Sequence, residues 1–588
     1  MGILLDQSVI QRVHASTVKV LLSVVVWSIA TACSNTSSSQ PASPLPFDVL
    51  VVNAKVVDGS GNPWFRSDVG IRGDRIVAMG QLADREARRT IDAQDRMVTP
   101  GFIDMMGQSS FVLVTDPPSA ESKLRQGITT YLSGEGGSPA PRNKETQTTG
   151  NGNIPTDRVY EAGSGPAVVN GDTLRWERYS EYFSILERFG IPINVVHNVG
   201  LTQVRRVVLG VEDVQPTAEQ LERMKELVRE GMEDGAVGVS TSLIYPPAVY
   251  ATTEELVALA SVAGEYGGVY FTHMRNESHS VLDAIQEAIS IGDRANVPVH
   301  IYHLKAAGQR NWPLMTQALS LIDSARTADL DVTADIYPYI RNGIGLNSFL
   351  HPRHYARGTA AFLSTLSDPE VRAELRREVE TDSEWENWFQ HVGMDWDNVL
   401  IVEVADGVDP IVINHSVAEA AKLLELDPWD AFFDMVQAGG GSVNPKSMNE
   451  EQKWEALRAP FVMIDTDASP VNPATSVSSH PRAFGAFPRV IAKYVREDGV
   501  ISIEEAVRRM TSLAAHRLGL YDRGTVAPGM VADLVMFDPA RLTDVATFGN
   551  AMRYSDGVDY LFVNGELVID DGELTDSRPG RLLKRSGS

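Results

Sequence analysis

The chain has 588 residues, 43% of them hydrophobic and 22% charged, an ordinary globular composition with room for a large core and an accessory domain. Its formal net charge of -25 leaves no basic footprint for nucleic acid, and its one cysteine, Cys33, leaves no internal disulfide framework.

The N-terminal segment reads as an export signal. Arg12 and Lys19 lead into an apolar run over residues 20–32, too short to span a bilayer and shaped like a signal-peptide h-region. Ala30-Thr31-Ala32-Cys33 closes the run. Residues 1–33 thus resemble a bacterial lipoprotein signal, which implies lipidation of Cys33 as the mature N-terminus; ordinary secretion is the other reading. Ser34 suits sorting to the periplasmic side of the outer membrane. The Ser/Pro-rich stretch 34–46 is expected to be a flexible tether.

Residues 47–100 read as short strands broken at Gly59 and Gly61, with a Gly-Asp turn further on. Residues 532–542 and 560–574 have the same character, and Asn564-Gly565 signals a hairpin. Two strand-rich ends, 47–100 and 526–588, predict one small β-sandwich assembled from both termini. The middle, 101–525, alternates strand-like and helix-like segments. Eight apolar strand candidates fall at 102–106, 129–135, 192–198, 237–243, 268–273, 298–303, 331–337 and 461–467, with helical patterns such as 217–234 and 280–294 between them. That count predicts a (β/α)8 barrel of the TIM type, an α/β fold, rather than an open doubly wound sheet. Residues 340–460 are too long for an ordinary loop and read as an inserted lid.

A barrel of this kind carries its chemistry at the C-terminal ends of its strands. His273 ends the fifth candidate strand and His303 the sixth, 30 residues apart, about one strand–helix–strand repeat. Two imidazoles at matching levels are expected to face one cavity and bind a metal. Asp467 ends the eighth strand, with Asp465 one layer deeper; it is read either as a metal ligand or as a general base, or as a loop hydrogen-bonder. Glu135 ends the second strand among glycines, which leaves room for a metal or substrate to approach; a turn acid is its plainer reading. Together Glu135, His273, His303 and Asp467 would make a site of nitrogen and carboxylate oxygen suited to Zn²⁺, with Mn²⁺ or Fe²⁺ also compatible. The remaining histidines are read as structural or surface residues, His480 beside Arg482 being the exception.

Several stretches resemble the amidohydrolase superfamily, specifically its D-aminoacylase (N-acyl-D-amino-acid deacylase) branch. They are Val98-Thr99-Pro100-Gly101-Phe102-Ile103-Asp104, GAVGVSTSLIYPP (235–247), GGVYFTHMRNE (267–277), VPVHIYHLKAAG (297–308), DIYPY (335–339), SHPRAFGAFPR (479–489), RMTSLAAHRLGLYDRG (509–524) and PGMVADLVMFDP (528–539). The resemblance runs through most of residues 47–582 and implies a metal-bearing barrel with a small β-sandwich. It implies His273 and His303 as metal ligands and Asp467 as the catalytic aspartate. Lys305, Tyr337 and Arg482 match positions that hold a substrate carboxylate, and Tyr245 is a further substrate-side candidate. The expected activity is hydrolysis of the amide bond of a small N-acylated substrate, an N-acyl-D-amino acid or a relative, with one Zn²⁺ per chain. A lactone or cyclic-amide hydrolase, or a non-catalytic binding lipoprotein, are the competing expectations.

The chain departs from that pattern twice. The family's strand-one His-x-His is replaced by Met106 and Gln108, a thioether and a neutral amide, so the first metal subsite is expected to be absent or much weakened. Gly136 stands where a strand-two cysteine is common, and Glu135 is expected to supply the anionic ligand in its stead. Gly343 falls where the family often has a serine.

Overall fold

The computed structural model describes residues 46–143, 167–356, 358–381 and 384–585. The signal expected at 1–33, and the tether at 34–46 except Pro46, lie outside them.

Phe47–Val56 buries Phe47, Leu50, Val51, Val52, Ala54 and Val56 and exposes only Asn53, so it is covered along most of its length. It pairs antiparallel with Phe65–Arg72, which turns through Gly73-Asp74 into Arg75–Gly80. Met97–Pro100 runs parallel to the end of the first strand and antiparallel to Leu534–Phe537 from the far end of the chain. Val558–Val563 and Glu566–Asp570 extend the same nine-stranded sheet through a turn at Asn564-Gly565. Its core includes Val56, Val69, Ile71, Leu534 and Phe562, so both chain ends bury their apolar faces together.

Eight parallel strands follow the chain order expected of the barrel: Phe102–Asp104, Ile128–Ser133, Asn194–His197, Gly238–Ser242, Val269–His273, Val299–Ile301, Val332–Ile336 and Val462–Ile464. Their residues are buried throughout, as parallel strands covered on both faces require. Strands one to three form one hydrogen-bonded sheet and strands four to eight another. Two seams close the circle and exclude the open sheet. At the first, Val237 N–H donates to His197 O at 2.8 Å, and Val199–Gly200 pairs with Val239 and Ser240. At the second, Thr466 N–H donates to Asp104 Oδ1 at 2.9 Å across strands eight and one. Lys123 is fully buried there, donating to Asp104 Oδ2 (2.7 Å), Thr466 Oγ1 (2.5 Å) and Ala468 O (2.7 Å).

The outer helices follow from capping and a 3.6-residue apolar stripe. Ala218–Asp234 begins at Thr217, whose hydroxyl accepts from Gln220 N–H while the Gln220 side chain returns to Thr217 N–H. It buries Met224, Leu227, Val228, Gly231 and Met232 and stops at Gly235, where φ is +122°.

Between strands seven and eight lies a separate core built on Phe349, Trp388, Trp396 and Phe432, beside a three-stranded sheet of Ile344–Gly345, Val399–Val404 and Gly441–Pro445. Ile244 and Tyr245, just beyond the fourth barrel strand, pack into this core, which fixes it over the barrel mouth. The last part of the 340–460 range belongs to the barrel: helix Glu450–Arg458 packs on helix Leu314–Thr327, with Thr316 Oγ1 donating to Glu455 at 2.8 Å.

Candidate functional site

Glu135 follows the second barrel strand between Gly134 (φ +107°) and Gly136 (φ +71°). A Cβ on Gly136 would lie 2.6 Å from the Ser242 backbone nitrogen, so only glycine fits this turn. The reversal drives the Glu135 carboxylate inward, where it is 3% exposed. His273 is the last residue of strand five. His303 and Asp467 lie just past strands six and eight, with φ of +35° and +42°, in the left-handed region that costs non-glycine residues energy. His303 is held there by its own N–H, which donates to Asp335 Oδ1 on strand seven; Asp335 Oδ2 is bound at 2.9 Å by His300 Nε2.

Three of the expected ligands converge. Glu135 Oε1 lies 2.6 Å from His273 Nδ1 and 3.1 Å from His303 Nε2, and the two imidazole rings meet edge-on with centroids 4.5 Å apart. One ligand atom from each of the three residues lies within 4.8 Å of the others, and all three residues are buried. His273 Nε2 is buried and makes no hydrogen bond among the described residues, with Glu277 Oε2 3.6 Å away. Two imidazoles, a carboxylate and an orphaned ring nitrogen fit a divalent cation of the zinc type.

Asp467 stands beside this cluster rather than in it. Gln108 Nε2 links the two, donating to Glu135 Oε2 at 2.9 Å and to Asp467 Oδ1 at 2.8 Å. On its other side Asp467 Oδ2 pairs with Arg482 at 2.5 Å. A Cβ on Gly343 would lie 2.9 Å from Arg482 Nη2, so the missing serine leaves that guanidinium its space. Lys305 is engaged: its ammonium donates to Glu277 Oε1 at 2.6 Å and lies 2.7 Å from His303 Nδ1. The Tyr337 ring centroid lies 4.6 Å from the Arg482 guanidinium and 4.7 Å from the Lys453 ammonium, with its buried hydroxyl making no hydrogen bond among the described residues. The Tyr245 ring meets His273 edge-on at 5.5 Å. All eight candidates line one cavity of about 420 Å³, which Glu403 of the inserted sheet also borders.

The electrostatics follow from burial and pairing. Burial raises the Glu135 pKa, but hydrogen bonds from His273 and His303 outweigh it and hold the carboxylate ionised. Burial and the Lys305 charge push His303 down, while Glu277 and Glu135 pull it up, to about 9. Burial raises Asp467 against the pull of Arg482, His303 and Lys305, leaving a carboxylate more basic than usual. Burial and the neighbouring Asp335 and Asp467 push Asp465 well above the usual carboxylate range.

Three residues in or against the site are not among the eight candidates. Glu277 touches both Lys305 and His303; its position four residues after His273 was the available signal. Gln108 is visible in sequence as a lost histidine and becomes a bridge only in space. Lys453 lies in the range read as a lid, and nothing local marks it as a buried cation, pushed down to about 7 by burial.

Residues 89–569 match the Amidohydro_3 model, an amidohydrolase family. The chain is 32% identical to the D-aminoacylase of Alcaligenes xylosoxydans xylosoxydans over 92% of this chain and 99% of that protein. It is 31% identical to the N-acyl-D-glutamate deacylase of the same organism, over 92% and 97%. The solved structure of N-acyl-D-glutamate deacylase from Bordetella bronchiseptica, complexed with zinc and a phosphonate that mimics the tetrahedral intermediate, superposes with a TM-score of 0.76 at 29% identity, over 92% of this chain and 100% of that one. The fold and its buried site define the class, and the chain belongs to the amidohydrolase family. Within it, the chain falls in the branch of the D-aminoacylases.

Proposed function

We propose that this protein hydrolyses the amide bond of N-acyl-D-amino acids with a single Zn²⁺ held by Glu135, His273 and His303. The observation that carries the reading is the convergence of those three buried side chains at the barrel mouth, one glutamine away from the raised carboxylate of Asp467. When bound, the cation supplies Lewis-acid polarisation of a carbonyl oxygen and acidifies water. Asp467 accepts a proton from the attacking water as the new C–O bond forms, then returns it to the leaving amine as the C–N bond breaks. Arg482 orients Asp467, and Arg482, Tyr337 and Lys305 offer the cationic and hydroxyl face for the substrate carboxylate. Tyr245 walls the cavity beside His273. The relatives that act on N-acyl-D-amino acids support the stereochemistry.

The test pairs zinc analysis with a screen of N-acyl-D- and N-acyl-L-amino acids. One zinc per chain with turnover of the D series is expected. A zinc-free protein, or turnover confined to the L series, contradicts the reading. On the signal alone we propose further that the protein is exported and lipid-anchored through Cys33 on the periplasmic side of the outer membrane.

A further inference from the structure

Gln108 is more than a gap in a ligand set. Its carboxamide has two N–H bonds, and the two oxygens in reach of its nitrogen belong to the two carboxylates of the site, Glu135 at 2.9 Å and Asp467 at 2.8 Å. Its side chain is buried, 9% exposed, in a backbone conformation with φ +58°. That conformation is held from both sides: Gly134 N–H donates to Gln108 O at 3.0 Å, and Gly107 N–H to Leu132 O at 2.7 Å. Gly107 permits it, since a Cβ there would lie 2.2 Å from the Tyr131 ring. Met106, fully buried, turns into an apolar cluster with Leu132, Val196 and Phe271 and offers the site nothing. A left-handed non-glycine residue locked in place beside two carboxylates is a built feature.

Two carboxylates converging on one point call for positive charge between them. Here the point is filled by the positive end of an amide dipole, which brings no net charge and cannot leave. From this geometry we infer that the Gln108 carboxamide stands where a second metal ion would bridge Glu135 and Asp467. It acts as a positioning residue that fixes both oxygens and restricts the site to one cation. The inference rests on the proposed hydrolase reading and deepens it.

The experiment measures zinc stoichiometry, by elemental analysis after equilibration with excess Zn²⁺, together with kcat and KM on the best substrate of the screen. Wild type and Gln108→Glu and Gln108→Ala variants are compared. Wild type is expected to saturate at one equivalent. Gln108→Glu keeps the shape, removes both N–H donors and adds a third carboxylate, so it should take up a second equivalent, with a changed visible spectrum when Co²⁺ replaces Zn²⁺. Gln108→Ala should retain one equivalent and lose about 10- to 100-fold in kcat with KM little changed, as supporting residues of metal sites do. An active wild type that binds two equivalents overturns the role of Gln108, as does a Gln108→Glu protein with one equivalent and undiminished kcat. A wild type with neither zinc nor turnover sinks the hydrolase reading itself, so the two failures are distinguishable.

Discussion

Asp467 has two partners that hold its oxygens apart, Gln108 on one and Arg482 on the other. Asp467→Asn preserves the shape and removes the base. It should lower kcat by about 10²- to 10⁴-fold while leaving zinc content unchanged; near-normal turnover would remove Asp467 from the proton transfer. His197, at the end of the third barrel strand, makes a different kind of prediction. It lies against the rings of Tyr182 and Phe183, with Nε2 2.8 Å from Ser110 Oγ. Burial drives its pKa from 6.5 down to about 3. Between those values the unfolded chain binds a proton that the folded chain refuses, so its contribution to stability is intact above 6.5 and is lost as pH falls toward 3. His197→Gln does not titrate, and its denaturation midpoint should decline less steeply than wild type across that window. Parallel declines would assign the acid sensitivity elsewhere. The paired histidines His273 and His303 could be read from sequence because each closes an apolar run. Glu277 and Gln108 carried only faint signals, a spacing from His273 and a lost histidine, because the partners that give them their roles include residues from other strands.

The elements were legible to within a few residues, and the misfits share a cause. The sixth candidate strand was read to His303 and the eighth to Asp467, yet the strands end at Ile301 and Ile464. An apolar run marks a buried strand. The residues that carry chemistry lie just past its end, where the backbone leaves the sheet and turns left-handed at His303 and Asp467. The seam between strands one and eight shows the same limit. Apart from one long backbone bond, Met105 N–H to Ile464 O at 3.5 Å, it is made by side chains, above all Lys123, which burial pushes below its usual pKa against the pull of Asp104 and, at longer range, of Asp465 and Asp467. Lys123→Met should destabilise the protein by about 3–5 kcal/mol, because it leaves the buried Asp104 carboxylate without its counter-charge. Denaturant titration measures it; a loss below about 1 kcal/mol would mean the seam closes without the pair.

At the scale of the molecule, two cores do separate work. The aromatic core around Trp396 and Phe432 includes Tyr245, whose ring meets His273 of the barrel, and Glu403 of the inserted sheet borders the cavity, so the insertion forms part of its wall. The sheet that joins both chain ends places Leu534–Phe537 against Met97–Pro100, immediately before the first barrel strand. The proposed anchor belongs to this scale as well. Cys33→Ser should move the expressed protein from the membrane fraction to the soluble periplasmic fraction, and mass analysis of the mature N-terminus should find the wild-type cysteine lipid-modified. An unmodified N-terminus would rule the anchor out.

By itself, the sequence determined the eight-stranded barrel, the level of His273 and His303 and the acid of the Gly-Glu-Gly turn. Each of these is written in a local pattern: apolar runs, their spacing, and glycines where the backbone must reverse. Only the tertiary structure decided that Gln108 spans Glu135 and Asp467, that Lys305 is tied to Glu277, and that Arg482 grips Asp467. Gln108 and Asp467 are 359 residues apart in the chain. Closing the barrel brings them within one hydrogen bond, and no local signal in a sequence encodes that distance.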